Sequence, residues 1–370
     1  MVDLTTQYQK IKKKIDREIE NVLLSGQYIN GKAVSDFCDE FAKYTKAPYV
    51  VPCANGTDAI QIALMALDLK EGDEVILPAF TYAAAIEAVA LLKLTPVLVD
   101  VDPKTFNMYP EKIQEAISAN TRVILPVHLF GQACDMEPIQ KIADKYGLFI
   151  IEDNAQSLGT EYVFSNGKMK KTGTIGTIGT YSFFPTKTIG CFGDGGAITT
   201  NDENFYIRMK MIALHGQSGK YIHDRIGCNS RLDTIQAAVL KVKLNHLDEY
   251  IRERARAAAF YYENLEALPY LELPERIPNS IHTFNQFTLK VTSGKRDELR
   301  EYLQKKKIPT VVYYPKPIHK QEAYKYVIQK ASSLAVSEQL CKEVLSLPMH
   351  TELDEDQLQY ICQALQKFNP

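Results

Sequence analysis

Between about residues 50 and 200, short aliphatic runs alternate with segments of helical spacing, and no other feature constrains the fold of this chain so strongly. Strands that return in the same direction need long crossovers, so the alternation predicts a parallel sheet with helices on its faces. Val75–Leu77, Pro96–Val99, Val123–Leu129 and Phe149–Ile151 are the strand candidates, with helices expected over Ala83–Leu92 and Met136–Tyr146. Such strands are buried on both faces, in keeping with their aliphatic content. After Thr200 the spacing turns helical, over Glu203–Leu214 and then from Asp233 through Leu265 with few breaks. The charges Arg252, Glu253, Arg254 and Arg256 read as a solvated helix face. Beyond Pro269, scattered prolines, a strand candidate at Phe284–Val291 and helices at Arg296–Lys306 and Asp354–Phe368 predict a smaller α+β unit.

A length of 370 residues allows two or three cores, and 45% apolar with 24% charged residues is ordinary for a globular chain. Lys and Arg number 43 against 45 Asp and Glu, which argues against nucleic acid as the main partner. The apolar stretch Ala83–Leu92 is interrupted by Glu87 and stopped by Lys93, so no membrane span is expected. Met1–Leu4 and the lysine-rich run Lys10–Lys14 do not resemble a signal segment, and a cytoplasmic location is expected. The seven cysteines are scattered without a Cys-x-x-Cys pair, which predicts free thiols, no disulfide framework and no metal site.

Three stretches carry candidate chemistry. Asn55-Gly56-Thr57-Asp58 leads into the apolar run Ala59–Leu64, where the unpaired N–H groups of a helix start suit a phosphate or are simply capped. The same Asn-Gly-Thr triplet fits a glycosylation acceptor poorly, because nothing else points to secretion. Phe149–Ser157 ends a strand on Glu152-Asp153, placing a carboxylate at the crevice where open α/β sheets bind ligands, although acidic pairs also cap loops. In Tyr181–Ala197 one lysine, Lys187, sits between aromatic residues and four glycines, at 190, 193, 195 and 196. A shielded amine suits Schiff-base chemistry, whereas most single loop lysines are surface residues. Taken together, a phosphate cradle, a strand-end anion and a shielded amine are the parts that hold pyridoxal 5′-phosphate.

The strings Ser182–Lys187, Gly193–Gly196, Asp153-x-Ala155-Gln156-Ser157, His215-Gly216 and Asn229–Asp233 resemble the DegT/DnrJ/EryC1/StrS sugar aminotransferases, over about residues 2–368. The resemblance implies an α/β, aspartate-aminotransferase-like fold (pyridoxal phosphate fold type I). Its large domain, with a mixed, mostly parallel sheet, would span residues 1–245, and a smaller α+β domain would span 246–370. It implies that Lys187 is the Schiff-base lysine and proton carrier, Asp153 pairs with the ring nitrogen and Gln156 bonds the ring oxygen. Gly56, Thr57 and Ser182 would hold the phosphate, and Tyr82 would stack on the ring. Asn229 would reach the neighbouring subunit's cofactor, making a homodimer with shared sites; read by itself, it is a helix cap. A lysine at 187 separates the chain from the related sugar 3-dehydratases, which carry histidine there.

The implied substrates are L-glutamate and a nucleotide-linked keto sugar. Cys53–Ala59, His215–Gln217, Asn229–Thr234 and Leu345–His350 look similar to the branch that aminates C3 of UDP-2-acetamido-2-deoxy-3-oxo-D-glucuronate for bacterial surface polysaccharides. Arg231 offers a planar fork for the uronate carboxylate. Tyr313 and His319 lie in the segment expected to approach the sugar nucleotide, with small-domain packing as the other reading. A dTDP-3-keto-6-deoxyhexose aminotransferase and a non-catalytic, cofactor-binding regulator are the alternatives.

Overall fold

The computed structural model describes residues 1–369. Two helices, α1 (Leu4–Ser25) and α2 (Lys32–Thr45), precede strand β1 (Tyr49–Cys53) and helix α3 (Gly56–Ala66). The expected alternation follows as β2 (Glu74–Pro78), α4 (Ala84–Leu91), β3 (Thr95–Val99), α5 (Pro110–Ala116), β4 (Thr121–Ile124), α6 (Met136–Tyr146) and β5 (Phe149–Asp153). A hairpin of β6 (Glu161–Val163) and β7 (Met169–Lys171) then leads to β8 (Ile178–Ser182) and β9 (Gly196–Thr200). The central sheet has eight strands in the order β1-β9-β8-β5-β4-β2-β3-β15, where β15 is Gln329–Lys330. All run parallel except β9.

Strand β2 shows why the aliphatic runs are continuous. Val75 and Leu77 pack with α3 and α4 residues on one face, and Ile76 packs with Ile139 and Ile142 of α6 on the other. After β9 come α7 (Glu203–Ala213), a small hairpin of β10 (Gln217–Gly219) and β11 (Ile222–His223), and helices α8 (Thr234–Leu244) and α9 (Leu247–Leu265). Helix α8 buries Ala237, Leu240 and Leu244 against Val34, Phe37 and Phe41 of α2.

The second sheet joins β12 (Leu271–Glu272), β14 (Phe287–Val291) and β16 (Val344–Leu347), while β13 (Ser280–Ile281) pairs with β6. Helices α9, α10 (Arg296–Lys305) and α12 (Glu355–Gln366) share its core, and α11 (Ala335–Glu343) leads into β16. Between the sheets, the chain around Tyr313, Tyr324 and Ile328 packs back on the large core and adds β15 to the large sheet. A division into 1–245 and 246–370 remains a proposal, which this returning segment crosses.

Three expectations are corrected. The strand expected over Val123–Leu129 ends at Ile124 because Pro126 has no N–H, and the chain turns through Phe130 (φ 59°) and Gly131 (φ 105°). Only glycine fits that last position, since a Cβ there would stand 2.8 Å from the backbone nitrogens of Phe284 and Asn285. The strand expected from Phe284 begins at Phe287, Phe284 itself having φ 48°, while the helical run from Asp233 has one break, at Asn245-His246, in keeping with the few expected. Arg254 is not solvated: at 1% exposure its guanidinium donates to the carbonyls of Phe284, Asn285 and Met349. Burial lowers its pKa to about 10, so it pins α9 to two distant chain segments instead of facing water.

Candidate active site

The carboxyl ends of the parallel strands gather most of the expected residues. Asn55 caps α3, its Oδ1 accepting the Asp58 N–H at 2.8 Å, while Ala59 N–H bonds to the Asn55 carbonyl. The N–H groups of Gly56 and Thr57 are thereby left at the open end of the helix. Ser182, the last residue of β8, closes the cradle, because a Cβ on residue 56 would lie 2.7 Å from the Ser182 Cβ.

Lys187 rides the β8–β9 connection. That loop is folded back on itself by Cys191 N–H to the Phe183 carbonyl and Phe183 N–H to the Gly195 carbonyl, both 2.8 Å. Helix α8 grips its outer turn. Gln236 exchanges two hydrogen bonds with the Phe192 backbone, and Lys243 Nζ donates to the Gly190 carbonyl at 2.7 Å. Burial lowers the Lys187 amine to about 8, partly opposed by the negative charge of Asp153. Asp153 is buried at the end of β5, which pushes its carboxyl upward, while the Ala155 N–H, Lys187 and His128 favour the ionised form.

Gln156 stands one turn beyond. Its Oε1 accepts the Phe130 N–H at 3.0 Å, so its amide orientation is settled and Nε2 reaches the Tyr314 hydroxyl at 3.2 Å. Tyr82 is 62% exposed with its ring centroid 6.4 Å from that of Tyr314, which also meets Phe80 at 5.8 Å. Tyr314 is the site residue that sequence reasoning missed in favour of its neighbour. Tyr313 is half-buried, its ring 5.9 Å from that of Tyr314.

The remaining expected residues stand apart. Asn229 is exposed, and next to it the Ser230 hydroxyl accepts the Ala54 N–H at 3.0 Å, tying this strip to the α3 turn. Arg231 lines a cavity of about 460 Å³ along the edge strand β1, together with Val34, Cys38, Tyr49, Pro52 and Lys210. His319 is buried, its Nε2 paired with Glu338 at 2.9 Å and its Nδ1 without a hydrogen-bond partner among the described residues. Among the described residues no group of three or more His, Cys, Asp or Glu is arranged to hold a metal ion, and no helix is long and apolar enough to cross a membrane.

Comparison with known proteins agrees with this geometry. The DegT/DnrJ/EryC1/StrS aminotransferase family matches residues 9–366. A UDP-2-acetamido-2-deoxy-3-oxo-D-glucuronate aminotransferase of Pseudomonas aeruginosa is 44% identical, covering 98% of each chain. A pleiotropic regulatory protein of Geobacillus stearothermophilus is 42% identical over 100% of this chain and 98% of its own. The crystal structure of a Brucella abortus aminotransferase of the family superposes with a TM-score of 0.94 at 39% identity, over 99% of this chain and 98% of that one.

Proposed function

The chain belongs to the DegT/DnrJ/EryC1/StrS aminotransferase family, whose members are pyridoxal-phosphate-dependent sugar aminotransferases, and on that premise we propose how its residues divide the work and which sugar it takes. When bound, pyridoxal phosphate supplies an electron sink for the carbon that loses or gains the amino group. The residues present fit it. The Gly56–Ser182 cradle leaves no room for a side chain but offers two backbone N–H groups and a hydroxyl to a phosphate. Asp153 would pair with the ring nitrogen, Gln156 would donate its Nε2 hydrogen to the ring oxygen, and Tyr82 would stack on the ring.

Lys187 holds the cofactor and afterwards moves the proton at the reacting carbon. An amine near pH 8 serves both tasks, because an appreciable fraction is unprotonated at neutral pH. That lowered amine beside a buried carboxylate is the observation that carries the reading. The complete set of Lys187, Asp153 and Gln156 also supports catalysis over a purely regulatory role of the kind the Geobacillus relative's name describes.

The amino donor is L-glutamate, and the acceptor is the C3 ketone of UDP-2-acetamido-2-deoxy-3-oxo-D-glucuronate, on a route to bacterial surface polysaccharide. The Pseudomonas relative's 44% identity over nearly the whole chain supports this choice. A dTDP-3-keto-6-deoxyhexose is the second reading, favoured by a Streptomyces venezuelae dTDP-sugar transaminase at 37% identity. Tyr313 faces the sugar nucleotide, and His319, buried with its Nε2 on Glu338, backs the segment that carries it. Asn229, exposed, and Arg231, on the edge cavity, serve the site of a second copy in a cytoplasmic homodimer. The test is to incubate cofactor-loaded protein with L-glutamate and a panel of UDP- and dTDP-ketosugars and to weigh the products. Amination of the 3-oxo-uronate is expected; amination of only the 6-deoxy sugars would move the assignment to the second reading.

A further inference from the structure

Beside the carboxylate assigned to the cofactor lies a second buried acid that no step above uses. Glu152 and His128 are both 0% exposed, and their side chains meet at 2.9 Å. The imidazole Nδ1 accepts the Cys134 N–H at 3.0 Å, so its proton is on Nε2 and is donated to Glu152 Oε2. Glu152 is further held by the N–H groups of Gly173, Ile175 and Gly176 at 2.8, 2.7 and 2.6 Å. A buried polar pair of this kind costs free energy that packing alone does not require, and it buttresses one short piece of chain.

That piece is the turn over residues 126–131. Its backbone grips Asp153 from both sides, the Asp153 N–H bonding to the Pro126 carbonyl at 2.9 Å and the His128 N–H to the Asp153 carbonyl at 3.0 Å. Two residues on, the Phe130 N–H orients Gln156, and the Ser157 hydroxyl bonds to the His128 carbonyl at 2.5 Å. We propose that His128 is a positioning residue: through its bond to Glu152 it fastens this turn to the loop at 173–176, and the turn sets where Asp153 and Gln156 stand. The inference rests on the reading of those two residues as cofactor contacts. His128 itself touches neither cofactor nor substrate.

The test compares His128→Gln with His128→Asn in the pyridoxal-phosphate-loaded protein. A glutamine amide reaches the place of Nε2 and keeps the bond to Glu152, whereas asparagine reaches only toward the Cys134 N–H. Visible circular dichroism per bound cofactor reports how the ring is held, and the single-turnover rate with L-glutamate reports the consequence. The Gln variant is expected to keep the wild-type dichroism and rate, and the Asn variant to lose much of the dichroism and about 10- to 100-fold in rate with cofactor still bound. Two variants that behave alike, whether both normal or both impaired, overturn the proposal. Should the Asn variant not fold, the Gln variant decides alone, since a folded protein with altered dichroism contradicts the role. A wild-type protein with no visible band at all would instead defeat the cofactor reading.

Discussion

The carboxyl pole of the central sheet and the arm over residues 215–231 both carry expected motifs yet are built on opposite terms. At the pole, Asp153, Gln156 and Lys187 find their partners within their own chain: the Ala155 N–H for Asp153, the Phe130 N–H for Gln156 and the charge of Asp153 for Lys187. The arm leaves large apolar side chains in water: Tyr221 is 81% exposed, Ile222 60% and Ile226 88%. A protomer has no internal reason to spread such a surface, and the Asn229 strip adjoins it. The difference teaches that the pole closes its hydrogen bonds within one chain, whereas the arm is the surface on which the proposed second copy would sit.

The largest effect should come from breaking the pole at its centre. Lys187→Ala is expected to abolish the visible cofactor absorbance and to lower turnover by about 10²- to 10⁴-fold or more, read in a spectrophotometric transaminase assay. Next, Asp153→Asn should retain cofactor while single-turnover rates fall more than about tenfold, from the loss of a charged hydrogen bond of about 1.5–3 kcal/mol. Near-normal turnover would mean the carboxylate serves another purpose.

The arm gives a test of the opposite kind. Inactive Lys187→Ala protein mixed with inactive Asn229→Ala protein should recover part of the activity in verified hybrid dimers, because one site then holds both residues intact. Hybrids without activity would assign Asn229 to its own protomer. Ile226→Asp should leave the fold intact and weaken self-association by about 10- to 100-fold in analytical ultracentrifugation, the scale of one large apolar side chain left unburied. A fifth test sharpens the role of the edge cavity. Arg231→Ala should weaken a 3-oxo-uronate nucleotide by a larger factor than its 6-deoxy counterpart at equal cofactor occupancy; equal losses would take away the charge-based reason for a uronate.

The same contrast governs how much could be read without coordinates. Strands β2, β3 and β5 were legible because burial on both faces writes an uninterrupted aliphatic run, and the α3 start because Asn55 both caps and punctuates. Asp153 and Lys187 stood out as candidates because each sits at a strand end or in a glycine-rich turn, where a buried charge has few structural uses. Contacts between distant parts of the chain were not. Gln156 meets Tyr314, 158 positions on, and the buried Arg254 is satisfied by carbonyls up to 95 positions away. No local pattern separates such an arginine from a solvated one. Strand β15 is two residues long and forms only because the Tyr-rich segment before it docks on the large core. The His128–Glu152 pair was likewise invisible, being made by residues 24 apart, one on the 126–131 turn and the other near the end of β5.

Central to the proposed function is that Lys187, its amine lowered by burial to about 8, would bind the cofactor covalently. Borohydride reduction of the loaded protein followed by peptide mapping tests it most directly, and repeating the loading across pH adds a second axis. A depressed amine is unprotonated above pH 8, where an ordinary lysine is still charged, so covalent capture should rise from pH 7 to 9 with a midpoint near 8. The account predicts pyridoxyl label on Lys187, with that midpoint; label on another lysine, or capture that rises only toward the range of an unperturbed amine, would contradict it.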